Sequence, residues 1–427
     1  MAKKTVDPSE YENIRNLFHA GHRQRDIAEQ YGCSRSLISN IVCFRAGDGD
    51  PETASKLQQL ADAKRYARTR LRASLRNEDL IRVAGNIAAD SVKPLKTVAA
   101  PKFKKRRGAV QETAVLVLSD GHHDQVVRAA EVGGLEEYNF GVSCRRGEQL
   151  CDSVIKFATQ TLQGYDFDRL VVFSLGDNTS GEIHEAEKRS AFGNQFKNTL
   201  AIAGLHASIY RDLARHFPKV EVIGLSGNHG RRTTTKEYAG GAHNNWDYMV
   251  NATARAYCSD IPNISFDIPN SWDTVVDVNG FGFHLSHGDD VASSGSNPWN
   301  GLQTRHRRQA GIYRGAGKNK SFRRGHEIDY AVIGHHHTRG IVTGNGVGYL
   351  CNGAWLGTDP YAYQKMGVAG PPEQLFFGVN KDRGITWQLP LQLDGNDASK
   401  KCRYDAVMNN IDGLHEALNA PRLRFDG

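Results

Sequence analysis

The first 42 residues carry the apolar spacing of short helices. Within residues 9–20, apolar side chains recur three or four positions apart, at Tyr11, Ile14, Leu17 and Phe18, and this spacing predicts one buried helical face. Gly21 is expected to end that helix, because glycine readily adopts the left-handed conformation that follows a helix. Two more helices are predicted, with Gly32 as the turn and Ser34 as the cap of the last one. Residues 1–50 are therefore predicted to form a small all-α domain.

Between residues 51 and 108 the pattern changes to scattered leucines among many arginines. The stretch 53–92 contains no proline, which favours one or two amphipathic helices. Residues 93–108 contain two prolines and no apolar period, so we interpret them as a flexible basic linker. The boundary between the two main domains is expected there.

From residue 110 onwards, short apolar runs each end in a cluster of polar residues. Such runs are typical of buried strands that present loops at their ends. They predict an α/β domain over residues 109–395, followed by a tail over residues 396–427. No run approaches the roughly 18 apolar residues that a membrane helix needs, and the N-terminus has no apolar segment of the kind found in secretory signals.

The net charge of +7 is concentrated in one segment of the chain. Residues 51–110 hold fifteen Lys and Arg against five Asp and Glu, whereas residues 1–50 hold seven of each. A basic segment of this kind indicates contact with a polyanion such as nucleic acid, and a solvated linker is the alternative. The seven cysteines are scattered singly, which favours buried thiols in a reducing compartment, so the cytoplasm is the expected location.

The all-α domain of residues 1–50, called the head below, contains the sequence QRDIAEQYGCSRSLISNIV. This sequence resembles the helix-turn-helix motif of repressors and resolvases. Ala28 is small enough for close helix approach, and Gly32 follows it by four residues, as in that motif. The resemblance implies a recognition helix with four outward polar residues: Arg35, Ser36, Ser39 and Asn40. Because arginine can bind guanine and asparagine can bind adenine in the major groove, DNA is the expected partner. A three-helix bundle that docks on protein is the alternative, and a homodimer is compatible with the motif.

Five of the predicted strands end in residues that commonly bind metal ions. In chain order the clusters read D-x-H, G-D, G-N-H, H-G and G-H-x-H, and they contain Asp120, His122, Asp177, Asn228, His229, His287, His335 and His337. A carboxylate and an imidazole two residues apart on a tight loop can bind one ion together. One histidine at a strand end is usually structural, but an ordered series of five such clusters indicates a metal site.

This series resembles the motifs of the calcineurin-like metallophosphoesterase superfamily, between Val115 and the region around Leu350. The resemblance implies a four-layer α/β/β/α sandwich, preceded here by the small helix-turn-helix domain, and a pair of divalent metal ions. It implies that Asp177 bridges the ions and that His229 protonates the leaving group or stabilises the transition state. It also implies a ligand set for each ion: Asp120, His122 and His337 for one, and Asn228, His287 and His335 for the other.

The expected ligands also bear on the metal and on substrate binding. Mixed imidazole and carboxylate donors favour Mn²⁺, Fe or Zn²⁺ over Ca²⁺, and we expect Mn²⁺ to support activity best. Two ions about 3.5–4 Å apart would neutralise phosphoester oxygens and supply hydroxide. Arg231 and Arg232 follow the G-N-H motif, where they either clamp a substrate phosphate or are simply exposed.

Three functions agree with these features. The stretches GNHGRR, HNNWDY, HGDD and NGAWLG look most like phosphoesterases of bacteriophages. Residues 51–108, called the basic arm below, join the DNA-reading head to a core expected to cleave phosphodiesters. This arrangement predicts a DNA nuclease in the cytoplasm of a bacterium or of a phage-infected host. One alternative is a phosphodiesterase or phosphatase of small nucleotides that is localised to DNA. The other is a DNA-binding regulatory or assembly protein with a vestigial metal site.

Overall fold

The chain divides into two compact units, with the division between Val83 and Ala84. The computed structural model describes residues 6–43 of the first unit. In the second unit it describes residues 106–181, 183, 190–233, 236, 241–292, 297–318, 327–394 and 402–404. Nearly all of the predicted basic arm therefore lies outside the described residues, as does most of the predicted tail.

In the described part of the first unit, three short helices pack on one another. They are α1 (Tyr11–His19), α2 (Gln24–Gln30) and α3 (Arg35–Cys43), and a 3-10 turn at Pro8–Glu10 precedes them. Their apolar faces share a core of almost fully buried side chains: Ile14, Ile27, Ile38 and Ile41. Gly21 and Gly32 have the expected positive φ, and the Ser34 hydroxyl accepts a hydrogen bond from the Leu37 amide at 3.3 Å. The predicted helices and their turns are confirmed.

The described residues of the second unit contain two β-sheets. The larger sheet has the strand order β11-β10-β1-β2-β3-β4. Its strands are β1 (Val110–Leu118), β2 (Tyr165–Ser174), β3 (Val220–Gly224), β4 (Ile264–Asp267), β10 (Glu373–Asn380) and β11 (Gly384–Gln392). Strands β1 to β4 are parallel, whereas β10 pairs antiparallel with β1. The register pairs Leu118 with Ser174 and Ser174 with Gly224, so β1, β2 and β3 end at one edge.

The smaller sheet has the strand order β5-β6-β7-β9-β8. Its strands are β5 (Asp273–Val278), β6 (Phe281–Ser286), β7 (Tyr330–Ile333), β8 (Gly340–Gly344) and β9 (Val347–Cys351). Strands β6, β7 and β9 are parallel. The β5–β6 and β8–β9 hairpins turn on Asn279-Gly280 and Asn345-Gly346, all four with positive φ, which is the turn chemistry that Asn-Gly sequences favour.

An apolar layer joins the two sheets face to face. It includes Val117, Val171 and Phe173 from the larger sheet, and Phe283, Leu285 and Val332 from the smaller one, all buried. The rings of Phe173 and Phe283 are 5.7 Å apart. Each such side chain stabilises the fold by roughly 1.5–3 kcal/mol relative to exposure, so this layer holds the strand ends of both sheets together.

Four described helices of this unit pack against the sheets. They are α4 (Phe140–Lys156), α5 (Gln195–Ala214), α6 (Trp246–Tyr257) and α7 (Trp299–Lys318). The first three share a core with Leu116, Leu170 and Val222 of the larger sheet, whereas α7 packs Leu302 against Tyr349 of the smaller sheet. Strands of the larger sheet contribute side chains both to the layer between the sheets and to the core with the helices, because successive side chains of a strand point to opposite faces. The mixed α/β class is confirmed.

Two segments outside residues 109–395 pack on this unit. The guanidinium of Arg106, in the predicted linker, donates to the carbonyl oxygens of Ala158, Thr159, Leu162 and Tyr165 at 3.2–3.4 Å. It thereby satisfies carbonyls at the end of a helical turn. Tyr404, in the predicted tail, is buried and donates its hydroxyl hydrogen to Asp212 at 2.8 Å. Arg106 and Tyr404 thus both contact the second unit, and the domain bounds stay a prediction.

Two further expectations concern the cysteines and the membrane. Cys33 is only half-buried, whereas five other described cysteines are buried thiols, as expected: Cys144, Cys151, Cys258, Cys351 and Cys402. Within the described ranges, none of the helices combines the length and the apolar character needed to cross a bilayer.

Candidate metal centre

The eight side chains predicted at strand ends lie together where strands of both sheets end. Asp120 and His122 follow β1, Asp177 follows β2, Asn228 and His229 follow β3, His287 follows β6, and His335 and His337 follow β7. Contacts join the loops of the two sheets. The His335 amide donates to the Asp120 carboxylate at 2.9 Å, and His287 Nε2 lies 2.9 Å from Asp177 Oδ2. The fold thus assembles one site from five separate stretches of chain.

The donor atoms form three overlapping groups that could each hold a metal ion. The groups are Asp120, His122 and His337; His122, Asp177 and His229; and Asp177, His287 and His335. Within each group the donor atoms lie within 4.8 Å of one another. Consecutive groups share His122 or Asp177, and a shared carboxylate is what a ligand bridging two ions requires.

His287 has a hydrogen-bond arrangement that suits a cation. Its Nδ1 lies 2.9 Å from the Leu175 carbonyl oxygen, which can only accept, so Nδ1 carries a hydrogen. Its Nε2 lies 2.9 Å from Asp177 Oδ2 and 3.0 Å from Asn228 Oδ1. Burial alone would lower the pKa of His287, but the charge of Asp177 raises it to about 10. Positive charge is therefore favoured between these three side chains.

His122 presents a nitrogen that the described residues do not satisfy. Its Nδ1 lies 3.2 Å from Ser180 Oγ, whereas its Nε2 is buried and has no hydrogen-bond partner among the described residues. A buried polar atom left in this way costs about 1–3 kcal/mol, and a bound cation would remove that cost. Burial, aided by the charge of His229, keeps the pKa of His122 well below its usual range. The ring is thus neutral, as metal ligation requires.

Asp120 is charged despite its complete burial. Burial opposes ionisation, but the hydrogen bond and charge of His337 lower the pKa of Asp120 to about 2. The two side chains lie 3.5 Å apart, between His337 Nε2 and Asp120 Oδ1. An ionised carboxylate beside two imidazoles is a donor set for a divalent transition metal. The residues therefore fit the ions implied by their pattern in the sequence.

His229 lies on the side of the cluster formed by His122, and their ring centroids are 4.8 Å apart. The His229 amide donates to Asp177 Oδ1 at 2.8 Å. Its Nδ1 lies 3.2 Å from the carbonyl oxygen of Ser180, which can only accept, so Nδ1 carries a hydrogen. His229 was predicted not to be a ligand. Its donor atom nevertheless lies within 4.8 Å of the donor atoms of His122 and Asp177, so these three side chains could hold one ion.

The backbone at this edge is conformationally strained. Among the described residues, seven other than glycine have positive φ, and five of them are candidate ligands: Asp120, His122, Asp177, His335 and His337. The other two are the hairpin residues Asn279 and Asn345. Asp, Asn and His tolerate this region better than most residues, yet each left-handed residue costs roughly 1–2 kcal/mol. Such strain is characteristic of functional sites.

Glycines next to the ligands allow their loops to approach closely. A Cβ on Gly176 would lie 2.2 Å from the Gly227 nitrogen, and one on Gly227 would lie 2.1 Å from Asp177 Oδ1. A Cβ on Gly334 would lie 2.5 Å from Asp120 Oδ2. The glycine of the G-D, G-N-H and G-H-x-H clusters therefore has a steric role in addition to allowing the turn.

Two buried carboxylates that the sequence did not indicate support these loops. Asp247 accepts hydrogen bonds from the amides of Asp177 and Gly227, both at 2.9 Å. Burial, followed by the charge of Asp177, raises the pKa of Asp247 to about 6. Asp124 accepts from the Ser180 amide at 2.7 Å and thereby holds the loop after Asp177. Gly227 is twenty residues from Asp247, and Asp177 and Ser180 lie more than fifty residues from the carboxylates that they contact, so no local spacing marks these two acids.

The cationic side chains near the G-N-H loop differ in their environment. Arg231 is half-buried, and its Nε donates to the Thr233 carbonyl at 3.0 Å. Arg232 is exposed, with Nη1 3.5 Å from Asn244 Oδ1. Lys236 binds Asp289 at 2.8 Å. A role for Arg231 and Arg232 in binding a substrate phosphate stays a prediction.

In the first unit, the four candidate DNA-binding residues lie on α3 or directly at its start. Arg35, Ser36 and Asn40 are exposed, and Ser39 is half-buried. Ile38 and Ile41 point into the core of the three helices. The polar residues of α3 are thus on the side away from that core, and contact with DNA stays a prediction.

No family model and no curated protein matches the chain by sequence. Among solved structures, vacuolar protein sorting 29 from Cryptosporidium parvum is 12% identical, with 63% of this chain and 86% of that chain covered, at a TM-score of 0.29. A predicted phosphoesterase from Streptococcus pneumoniae is 9% identical, with coverage of 66% and 99% and a TM-score of 0.26. An archaeal phosphodiesterase is 9% identical, with coverage of 65% and 99% and a TM-score of 0.28. At these TM-scores the likenesses carry no argument, and the fold and the site of this chain rest on its own geometry.

Proposed function

We propose that the second unit is a two-metal phosphodiester hydrolase with the four-layer α/β/β/α architecture of the calcineurin-like enzymes. The observation that carries this proposal is the convergence of three overlapping donor groups where the strands of both sheets end. Nε2 of His122, which has no hydrogen-bond partner in the described part of the chain, and the left-handed backbone at five of the donors support it. A vestigial site would have no need to retain this strain together with a full set of donors.

Each side chain then has a defined role. Two divalent ions, preferably Mn²⁺, would supply Lewis acidity and a hydroxide nucleophile at neutral pH. Asp120, His122 and His337 would hold one ion, Asn228, His287 and His335 the other, and Asp177 would contact both. The Leu175 carbonyl orients His287, because it fixes the hydrogen on Nδ1 and leaves Nε2 for ligation. His229, held by the Ser180 carbonyl through Nδ1, would act in its doubly protonated form: Nε2 would give its proton to the departing oxygen and leave a neutral ring with the hydrogen on Nδ1.

We further propose that the substrate is DNA. The polar residues Arg35, Ser36, Ser39 and Asn40 lie on the side of α3 away from its core, as a helix that enters the major groove requires. The excess of ten positive charges over residues 51–110 adds contacts to phosphates that do not depend on sequence. The enzyme is accordingly a DNA nuclease of the cytoplasm, and its head brings the hydrolase to DNA.

A hydrolysis assay on the purified full chain tests both parts of this proposal. With added Mn²⁺, single-stranded DNA, double-stranded DNA, a panel of cyclic nucleotides and bis(p-nitrophenyl) phosphate are compared. We expect cleavage of DNA, and a loss of about 10²–10⁴-fold in His229→Ala, the usual range for a general acid. Cleavage of small phosphoesters alone would refute the nuclease and leave the hydrolase. Absence of any hydrolysis would refute both.

A further inference from the structure

Asp247 lies at the centre of the contacts between two ligand loops. It is the second residue of α6, directly after Trp246, and its side chain is completely buried. Its carboxylate accepts four hydrogen bonds. Oδ2 accepts from the amides of Asp177 and Gly227, both at 2.9 Å. Oδ1 accepts from the amide of Asn178 at 2.9 Å and from its Nδ2 at 3.0 Å.

These donors belong to two different loops. Asp177 and Asn178 follow β2, whereas Gly227 follows β3 and directly precedes the ligand Asn228. A single oxygen, Asp247 Oδ2, therefore joins the loop that carries the shared carboxylate to the loop that carries the amide ligand. The connection is closed by the His229 amide, which donates to Asp177 Oδ1 at 2.8 Å.

The same contacts account for the unusual backbone at Asp177. Its φ is +52°, and this conformation turns two successive amides, those of Asp177 and Asn178, towards one point. Successive amides arranged in this way form an anion-binding concavity. The Asp247 carboxylate fills it, and the charge-assisted hydrogen bonds that result are stronger than neutral ones. The strain at Asp177 is thus offset by a carboxylate supplied from a helix.

The neighbouring sequence makes room for this carboxylate. A Cβ on Gly230 would lie 2.2 Å from Asn245 Oδ1 and 3.1 Å from Asp247 Oδ2. Asn245 caps α6 by accepting from the Asp247 amide at 2.8 Å, and its Nδ2 donates to the Gly227 carbonyl at 2.8 Å. The end of α6 therefore approaches the G-N-H loop so closely that no side chain fits at position 230.

We infer that Asp247 is a positioning residue that holds Asp177 and Asn228 in the geometry of ligands while it contacts neither ion itself. The inference rests on the proposed metal centre. Since residues that orient ligands typically contribute 10- to 100-fold to metal affinity, replacing Asp247 should weaken metal binding without removing a donor atom.

Calorimetric titration of the metal-free full chain with Mn²⁺ tests this role without recourse to activity. The variant is Asp247→Asn, which keeps the size of the side chain but directs an amide group at the donors. The control is Glu112→Gln. Glu112 is also buried, and it accepts hydrogen bonds from Thr386 and Trp387 on β11, near the start of β1. We expect affinity about 10- to 100-fold weaker in Asp247→Asn and unchanged in the control.

A second measurement covers the case in which Asp247→Asn does not fold. In the metal-free wild-type protein, hydrogen exchange at the amides of Asp177, Asn178 and Gly227 should be slow, because all three donate to Asp247. Exchange as fast as in exposed loops would overturn the inference, as would wild-type affinity in a folded Asp247→Asn. If the wild-type chain binds no Mn²⁺, the metal centre itself fails, and the role of Asp247 fails with it.

Discussion

Gly227 offers a test of how tightly the two ligand loops must pack. A Cβ at this position would lie 2.1 Å from Asp177 Oδ1 and 2.4 Å from the Asp177 nitrogen. Atoms in favourable contact are about 3.5–4 Å apart, so in Gly227→Ala the carboxylate must move by more than about 1 Å. Gly227 is not among the glycines with positive φ, so alanine is not strained there by a left-handed backbone, and the close contact with Asp177 determines the effect.

A displacement of about 1 Å at a positioned catalytic group lowers the rate by about 100-fold, which corresponds to about 2.7 kcal/mol of lost transition-state stabilisation. We therefore expect kcat/KM for bis(p-nitrophenyl) phosphate, measured with Mn²⁺, to fall by about that factor in Gly227→Ala. The added methyl group should also destabilise the fold by about 1–3 kcal/mol, which urea denaturation would measure.

Gly164→Ala is the matched control for this substitution. No atom lies within 4 Å of a Cβ built on Gly164, and its φ is not positive, so its activity should equal that of the wild type. If Gly227→Ala keeps kcat/KM within about twofold of the control, the argument that the carboxylate position limits the rate is wrong.

Three other predictions follow from the structure. Asp177→Asn should abolish hydrolysis of every substrate, because the shared carboxylate is lost, while the far-UV circular dichroism of the fold should be retained. A fully active variant would exclude the two-metal assignment. Removing residues 1–105, which leaves Arg106 in place, should spare hydrolysis of a small phosphodiester and weaken DNA binding; an unchanged, salt-insensitive DNA affinity would count against the head and arm. Burial lowers the pKa of His206 from 6.5 to about 4, so as the pH falls the unfolded chain takes up this proton before the folded chain does. The free energy of unfolding should therefore fall by up to about 3 kcal/mol as the pH drops from about 6.5 to about 4. Urea titrations across this range should show a weaker pH dependence in His206→Gln, and identical profiles for the two proteins would contradict the assignment.

The sequence predicted those parts of the site that depend on short stretches of chain. Asp120 and His122 could be found because a strand-end loop that binds a metal places its donors within a few residues of each other. The apolar run that precedes each cluster predicted the strand. The helices of the head were predicted for the same reason, since Ile38 and Ile41 are spaced by one helical turn.

What the sequence could not predict depends on contacts between distant segments. Asp247 is seventy residues from Asp177, and although it lies in the stretch HNNWDY that resembles phage phosphoesterases, that resemblance gave it no role. The antiparallel pairing of β10 with β1 likewise joins strands at opposite ends of the second unit. Arg106 looked like part of a flexible basic run, because the carbonyls that it binds belong to a turn about fifty residues away. Burial and partner geometry are properties of the fold, and local spacing does not encode them.

At five of the proposed ligands the left-handed backbone lowers stability, whereas the proposed activity requires the residues found there. Glycine adopts that conformation without the steric penalty of a side chain, so at each of these positions it would relieve strain while removing a donor. Selection for thermal stability alone would therefore tend to erode the metal centre first, as expected where function depends on strained residues. Any effort to stabilise the protein should hold Asp120, His122, Asp177, His335 and His337 fixed and seek its gains in the apolar layers between and outside the sheets.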